Sequence, residues 1–338
     1  MHIAESIQLA PYTTLKVGGP ARYLVTVGKT EDIEPVRTLI MSTASPVLVL
    51  GHGSNVLIPD TGYDGIVVRN QIMGRQYKKD ADDAILATFG AGEDWDACVA
   101  DSVARGYWGL ENLSHIPGTV GATPIQNVGA YGVEVSQLIV SVAAVSLTTG
   151  ETKTFSTADC QFAYRDSYFK TDAGRNWLIT HVTYRLSRSD KAAVLSYADL
   201  QTFATTHTHV TAADIRQEII RIRSAKFPNW QAVGTAGSFF KNPVVAPTTL
   251  APLLRQHPDL PHYPQLDGSV KVSLGWILDH VCGLRGYTDG EVSLSPHQAL
   301  VLINRGESAA KIVEFVQHVT TVVRDHTGIT IEPEVRLL

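Results

Sequence analysis

The chain has 338 residues, 44% of them hydrophobic and 18% charged, with a net charge of −5. That is enough for two or three packed domains, and it leaves no electrostatic case for binding nucleic acid or an anionic membrane. No apolar run approaches the roughly 20 residues of a membrane span, no basic start leads into an apolar stretch as in a signal peptide, and Cys98, Cys160 and Cys282 are too scattered for a disulfide framework, so a reducing, cytoplasmic setting is expected.

Residues 22–28 (RYLVTVG) predict a strand. A helix follows over 30–44, with Thr30 as its cap and acidic residues in the first turn. Val47–Leu50 reads as a buried strand, then a glycine turn, a second apolar segment from Val56, and another strand at 65–70. Strand, helix, strand, strand make a small α/β unit. AILATFG (84–90) is a strand, and Trp95, Val99 and Val103 lie at helical spacing after it. Residues 135–155 read as two strands joined by Thr149-Gly150, and 176–188 as one more. Thr211 caps a helix carrying Ile215, Ile219 and Ile222. After Pro228 come a short strand at 235–245, a helix interrupted at Pro252, a helix stopped by Gly283, and a buried strand at 298–304. An amphipathic helix ending at Gly328 and a closing strand complete the chain. A second α/β domain is expected from about residue 227.

One stretch fits neither periodicity. Residues 109–132, GLENLSHIPGTVGATPIQNVGAYG, are rich in glycine, stiffened by Pro117 and Pro124, and nearly free of charge. An ordinary surface loop would carry more Lys and Glu. A loop-rich backbone that comes close to a large cofactor fits better, since glycine permits close approach and its N–H groups can face a pyrophosphate. The turn Gly51-His52-Gly53-Ser54-Asn55 begins like a dinucleotide fingerprint, but Val56 stands where the last glycine should be and no clear helix follows. Two such turns suit a dinucleotide lying between them; two unrelated turns remain the alternative.

Other polar residues stand out singly. Arg165, beside Tyr164 and among Phe162, Tyr168 and Phe169, needs an acceptor. That acceptor is either an internal partner, Asp166 or Asp172, or a substrate carboxylate. Ser238 sits between Gly237 and two phenylalanines without forming a nucleophile elbow. It is either a buried serine bonded to backbone or a proton donor. Glu332, Glu334 and Arg336 alternate on the last strand, opposite Ile331, Val335 and Leu337. This is either a solvated face or a carboxylate held over a site. Tyr197, Lys226, Tyr263 and Lys271 are scattered anchors for a phosphorylated ligand or plain surface residues. No metal site is expected: His207-Thr208-His209 has no cysteine at useful spacing, and there is no P-loop.

Taken together, these segments resemble the UDP-N-acetylenolpyruvoylglucosamine reductase family. The resemblance is carried by LGHGSNVLIPD (50–60), the 109–132 loop, CQFAYRDSYFK (160–170), TAGSFFKNPVV (235–245), YPQLDGSVKVSLGWILD (263–279), HQALVLIN (297–304) and IEPEVR (331–336). They run in the family's order over essentially the whole chain, and Ser-Tyr-Ala-Asp-Leu at 196–200 resembles the tyrosine loop of its type I branch.

The resemblance implies an α+β protein. An FAD-binding fold of the p-cresol methylhydroxylase type, made of two α/β subdomains, would be followed by an α/β substrate-binding domain. The expected boundaries are 1–69 and 70–226 for the two subdomains, with FAD binding over about 17–188, and 227–338 for the substrate domain. It implies non-covalent FAD held by Leu50, Gly51, His52, Gly53, Ser54, Asn55 and Val56 and by Ile116, Pro117, Gly118, Thr119, Gly121, Ala122, Pro124, Asn127, Gly129, Ala130 and Tyr131. His52, where relatives often carry other residues, is expected to stay free of the flavin. NADPH and UDP-N-acetylglucosamine enolpyruvate would use one pocket in turn. Arg165, Ser238 and Glu334 would be catalytic, and Tyr164, Tyr197, Lys226, Asn242, Tyr263, Lys271 and Gln298 would hold the substrate. A monomer is expected. The rival is a flavin oxidase of the same fold acting on another sugar or a phenol, against which the TAGSFFKNP and EPEVR motifs argue.

Overall fold

Period-two and continuous apolar runs become strands, and the strands collect into separate sheets in two units. The computed structural model describes residues 2–190, 193–205 and 209–338, so His207 of the histidine pair lies outside the described residues. One unit comprises Met1–Ile7, Ala21–His52 and Asp64–Arg223; the other comprises Gln8–Pro20, Gly53–Tyr63 and Ser224–Leu338.

The first unit begins with β1 (His2–Gln8), β2 (Pro20–Val27), α1 (Ile33–Thr43) and β3 (Val47–Leu50). After β4 (Val56–Leu57), which belongs to the second unit, β5 (Tyr63–Asn70) completes a sheet of order β1-β2-β5-β3. β3 and β5 are parallel, Leu48 opposite Val67, and Ile66, Val67 and Val68 are fully buried. Next come β6 (Arg75–Lys79), β7 (Ile85–Gly90), α2 (Trp95–Ala104), α3 (Ala122–Gln126) and the hairpin β8 (Gly129–Ala130) with β9 (Val133–Glu134). β10 (Ile139–Ser146), β11 (Thr152–Ser156) and β12 (Trp177–Leu186) join β6 and β7 in an antiparallel sheet of order β11-β10-β12-β7-β6. α4 (Ala198–Thr205) and α5 (Ala212–Lys226) follow. Asp94 caps α2 by accepting the Ala97 N–H at 2.8 Å. The apolar stripes of α2 (Trp95, Val99, Val103) and α5 (Ile215, Ile219, Ile222) share one core with Phe89 and Tyr184.

The second unit pairs β13 (Gly234–Ser238), β19 (Val301–Asn304), β18 (Val292–Leu294) and β17 (Thr288–Asp289) in that order. A smaller sheet holds β14 (Val244–Val245), β16 (Val270–Val272) and β15 (His262–Pro264), and β20 (Arg336–Leu337) runs parallel to β4. Around them lie α6 (Pro247–Gln256), α7 (Leu274–Trp276), which runs on into a π-helical turn (Ile277–Val281), and α8 (Ala309–Thr327). Phe239, Phe240, Leu278, Phe315 and Val319 form its core.

Several local expectations are corrected. Thr30 does not cap α1: the helix begins at Ile33, and the Asp32 carboxylate accepts the Gly28 and Lys29 N–H groups at 2.9 and 3.2 Å. Pro252 does not interrupt α6; buried Leu250 and Leu253 on either side hold the helix through the missing N–H. The 109–132 run contains the short helix α3, with Pro124 in its first turn where a proline costs least. The closing segment is a strand only at Arg336–Leu337. Pro333 cannot donate to a ladder, the chain bends at Glu334–Val335, and Leu337 is 44% exposed instead of sharing the buried face of Ile331 and Val335. β1 had no counterpart in the sequence reading, because its residues are mostly exposed and show no buried alternation.

Helix α8 is capped by Ser308, whose Oγ accepts the Lys311 N–H at 3.1 Å. Ser308→Ala is expected to cost about 1 kcal/mol, and Ser308→Asp to preserve stability. Thermal melts in which Ala and Asp behave alike would contradict this.

Candidate active site

Much of the glycine-rich run is buried in the first unit, and its buried peptide groups need partners. Glu111, Asn112 and Ser114 are at most 1% exposed. Trp95 Nε1 donates to the Leu113 carbonyl at 2.9 Å. Asn112 Nδ2 donates to the carbonyls of Tyr131 and Val194, both at 2.8 Å, and so ties the loop's start to its end. The Trp95 N–H meets the Gly118 carbonyl at 3.1 Å, and Val120 and Gly121 donate to Glu93 and Ala91, both at 2.9 Å. An ordinary surface loop is thereby excluded. Burial also pushes the Glu111 carboxyl above its ordinary pKa, although its own and the Gly109 N–H oppose the shift.

The turn after β3 meets this loop within the same unit. A side chain on Gly51 would collide with Thr119, and one on Gly121 with Ala91. Leu50, buried at the end of β3, leads into Gly51 and His52. His52 Nδ1 stands 3.7 Å from Asp94 Oδ2, and Asp94 is bridged to Thr119. Burial pushes the His52 pKa below its ordinary value; Asp94 pulls it partway back and Arg69 adds to the fall. An imidazole, a carboxylate and glycine-rich backbone thus converge. Asn112 Oδ1 and Gln126 Oε1 in the loop are buried acceptors with no partner among the described residues. This donor set fits a dinucleotide diphosphate and its polar ring substituents.

Arg165 is fastened to the same loop. Ala163 and Asp166 exchange both backbone hydrogen bonds, leaving Tyr164-Arg165 at the tip of a tight turn with Arg165 at φ 53°. Its guanidinium donates to the carbonyls of Asn127 at 3.4 Å and Gly129 at 2.8 Å. Gly129 leaves the necessary room, since an added Cβ would lie 3.1 Å from Arg165 Nη1. Lys170 Nζ donates to the Arg165 carbonyl at 2.5 Å, and Asn127 is held by Glu134, Ala163 and Ser136. Of the alternative partners considered, Asp172 lies 3.5 Å from Arg175 instead. Tyr164 lies under the guanidinium at 5.4 Å, and Tyr197, 43% exposed, packs edge-on against Tyr131 at 5.0 Å.

In the second unit, Ser238 follows a β-bulge in which Gly237 takes φ 69°. Phe239 and Phe240 turn into the core and leave Ser238 only half-buried. Its hydroxyl has no hydrogen-bond partner among the described residues, so it is not the backbone-bonded serine considered as the alternative. The Glu334 N–H donates to the Phe239 carbonyl at 2.8 Å and Pro333 bridges Phe240, which sets the Glu334 segment beside the serine's. Asn55 Nδ2 donates to the Glu334 carbonyl at 3.2 Å. Gly53 is fixed by the Tyr12 carbonyl, which a side chain there would strike, and accepts the Thr14 N–H at 3.1 Å. Asn242 Oδ1 accepts the Leu274 N–H at 3.0 Å, and Gln298 Oε1 accepts that of Leu300 at 3.4 Å. Tyr263 and Lys271 are direct cross-strand partners, with Lys271 Nζ 5.9 Å from the ring centre. Lys226 closes α5.

Sequence reasoning missed Arg69 and Asp94 beside His52, Lys170 behind Arg165, and the Asn55–Glu334 bond. Only Asp94 left a signal, as an N-cap residue just before a helix.

Residues 21–156 match a model described as an FAD binding domain, and 228–338 match one described as the UDP-N-acetylenolpyruvoylglucosamine reductase, C-terminal domain. The chain is 40% identical to the UDP-N-acetylenolpyruvoylglucosamine reductase of Chromobacterium violaceum, covering 100% of this chain and 99% of that one. It is 40% identical to that of Idiomarina loihiensis, over 98% and 96% of the two chains. In three dimensions it resembles UDP-N-acetylenolpyruvylglucosamine reductase from Thermus caldophilus, with a TM-score of 0.69 at 24% identity over 100% and 99% of the chains.

Since its native pKa is depressed, His52 favours the fold when neutral. Its contribution is full above the unfolded value and is lost as pH falls toward the native one. Asp94→Asn removes the group that pulls the value back up, so the His52 midpoint followed by imidazole NMR should fall further. A midpoint that rises or stays put would refute the pairing.

Proposed function

This chain belongs to the UDP-N-acetylenolpyruvoylglucosamine reductase family, and on that footing we propose that it reduces UDP-N-acetylglucosamine enolpyruvate to UDP-N-acetylmuramate with NADPH. The reaction is a step of peptidoglycan precursor synthesis, carried out in the cytoplasm by a monomer. FAD is held by residues within about 17–188, the subdomains being 1–69 and 70–226, and substrate by 227–338. Bound FAD supplies the two-electron chemistry that links nicotinamide to the enolpyruvyl group.

Hydride addition at C3 of the vinyl ether moves electrons onto C2 and the carboxylate. Arg165 meets that charge as a fixed cation that cannot deprotonate. The carbonyls of Asn127 and Gly129 aim its guanidinium, so little reorganisation is needed when charge develops. Ser238 delivers the proton to C2, where a positioned hydroxyl suffices because the carbon is strongly basic. Glu334 supports the enolic form from the segment hydrogen-bonded beside the serine. Tyr164, Tyr197, Lys226, Asn242, Tyr263, Lys271 and Gln298 hold the UDP-sugar and pyruvyl ether, the lysines meeting diphosphate as point charges.

The observation that carries this reading is the half-buried Ser238 hydroxyl, without a hydrogen-bond partner among the described residues, at the end of a bulge stitched to the Glu334 segment. Ser238→Ala should leave flavin reduction by NADPH nearly intact and slow flavin reoxidation by the enolpyruvyl substrate by about a hundredfold or more. Stopped-flow absorbance separates the half-reactions, and equal losses in both would make the serine structural. Lys271→Ala should raise KM more than it lowers kcat; steady-state kinetics with an unchanged KM would remove it from the substrate site.

A further inference from the structure

The turn that opens the cofactor loop is gripped by side chains of two helices. His115 adopts φ 60° without being glycine, a conformation that persists only when its surroundings impose it. Both of its backbone polar groups are taken: the N–H by Asp96 Oδ1 at 2.5 Å, the carbonyl by Arg223 Nε at 3.0 Å. Asp96 stands in the first turn of α2 and also receives Arg216 as a planar fork, Nη1 to Oδ1 at 2.5 Å and Nη2 to Oδ2 at 2.9 Å. Burial acts to raise the Asp96 pKa, but these hydrogen bonds outweigh it and the net shift is downward. Arg216 and Arg223 lie two turns apart on one face of α5. The residues that follow His115 directly are Ile116, Pro117, Gly118 and Thr119, the start of the cradle.

We propose that Asp96 and Arg216 are positioning residues for the cofactor, locking the His115 turn so that residues 116–119 are shaped before FAD arrives. The inference rests on the FAD reading above. Neither residue needs to touch FAD: Asp96 acts through the His115 N–H, and Arg216 through Asp96. The aspartate is part of a single linkage, so breaking it at either member releases the same turn.

The test is fluorescence titration of flavin-stripped protein with FAD, alongside circular-dichroism melts of the same stripped samples. Asp96→Asn and Arg216→Gln should each weaken FAD binding about tenfold or more, and the double variant no more than the worse single one. Arg216→Lys, which keeps charge but not the fork, should fall between. Arg221→Gln breaks the Arg221–Glu218 pair on the exposed side of the same helix and should leave the affinity unchanged. Wild-type affinity within twofold in Asp96→Asn and Arg216→Gln would overturn the proposal, as would losses that merely track the melting temperature across all variants, Arg221→Gln included. Wild-type protein that binds no FAD would instead defeat the functional reading itself.

Discussion

Burying a loop removes water from its peptide groups, and each must then be paired within the protein at a cost of about 1–3 kcal/mol for every one left out. In the stretch from Gly109 to Gly132 many of these groups are paired, and much of the first unit is arranged to pair them. Asn112 joins its ends, Trp95 binds it from ring and backbone, and the Ala91 and Glu93 carbonyls take the N–H groups of Gly121 and Val120. Those carbonyls lie between β7 and α2, so the antiparallel sheet and its first helix are the frame on which the loop hangs. The glycines have a definite purpose there: at Gly51 and Gly121 a single methyl group would strike the opposite chain.

Strain collects in the same place. His115, Asn127, Tyr131 and Arg165 are non-glycine residues with positive φ, and each lies in the loop or is bonded to it. Such residues cost on the order of 1–3 kcal/mol each. They are held by specific partners: Asp96 and Arg223 at His115, Glu134 and Ala163 at Asn127, Lys170 at Arg165. A cation kept on a strained turn by its neighbours is preorganised. In the second unit the arrangement is different. The bulge at Gly237 and the paired core rings of Phe239 and Phe240 turn the serine hydroxyl away from the hydrophobic packing.

Strong periodicity or continuous apolar runs made β2, β3, β5, β7, β10, β12 and β19 and the helices α2, α5 and α8 legible, because their apolar faces decide what is buried, whereas β1, β6, β17 and β18, which are exposed or very short, had no counterpart in the sequence. The buried 109–132 loop was legible as an irregular segment for the opposite reason, as glycine and proline without either period. What stayed hidden depends on pairing between distant segments. Tyr263 and Lys271 looked scattered until β15 and β16 placed them opposite each other. Asn55 read as part of a phosphate turn, yet its side chain bonds the Glu334 carbonyl. Thr30 and Pro252 misled because capping and helix breaking are weak local preferences. Asp32 at one site and the buried leucines at the other override them. The closing segment failed for a local reason: Pro333 interrupts the alternation on which a single-face reading depends.

The central claim is that this buried loop holds FAD without a covalent bond. It is tested most directly by recording the visible spectrum of the purified protein, then denaturing it and separating chain from supernatant. The account predicts a flavin absorption band in the native protein and stoichiometric FAD, unmodified, in the supernatant. A colourless native protein, or flavin retained on the denatured chain through His52, would contradict it.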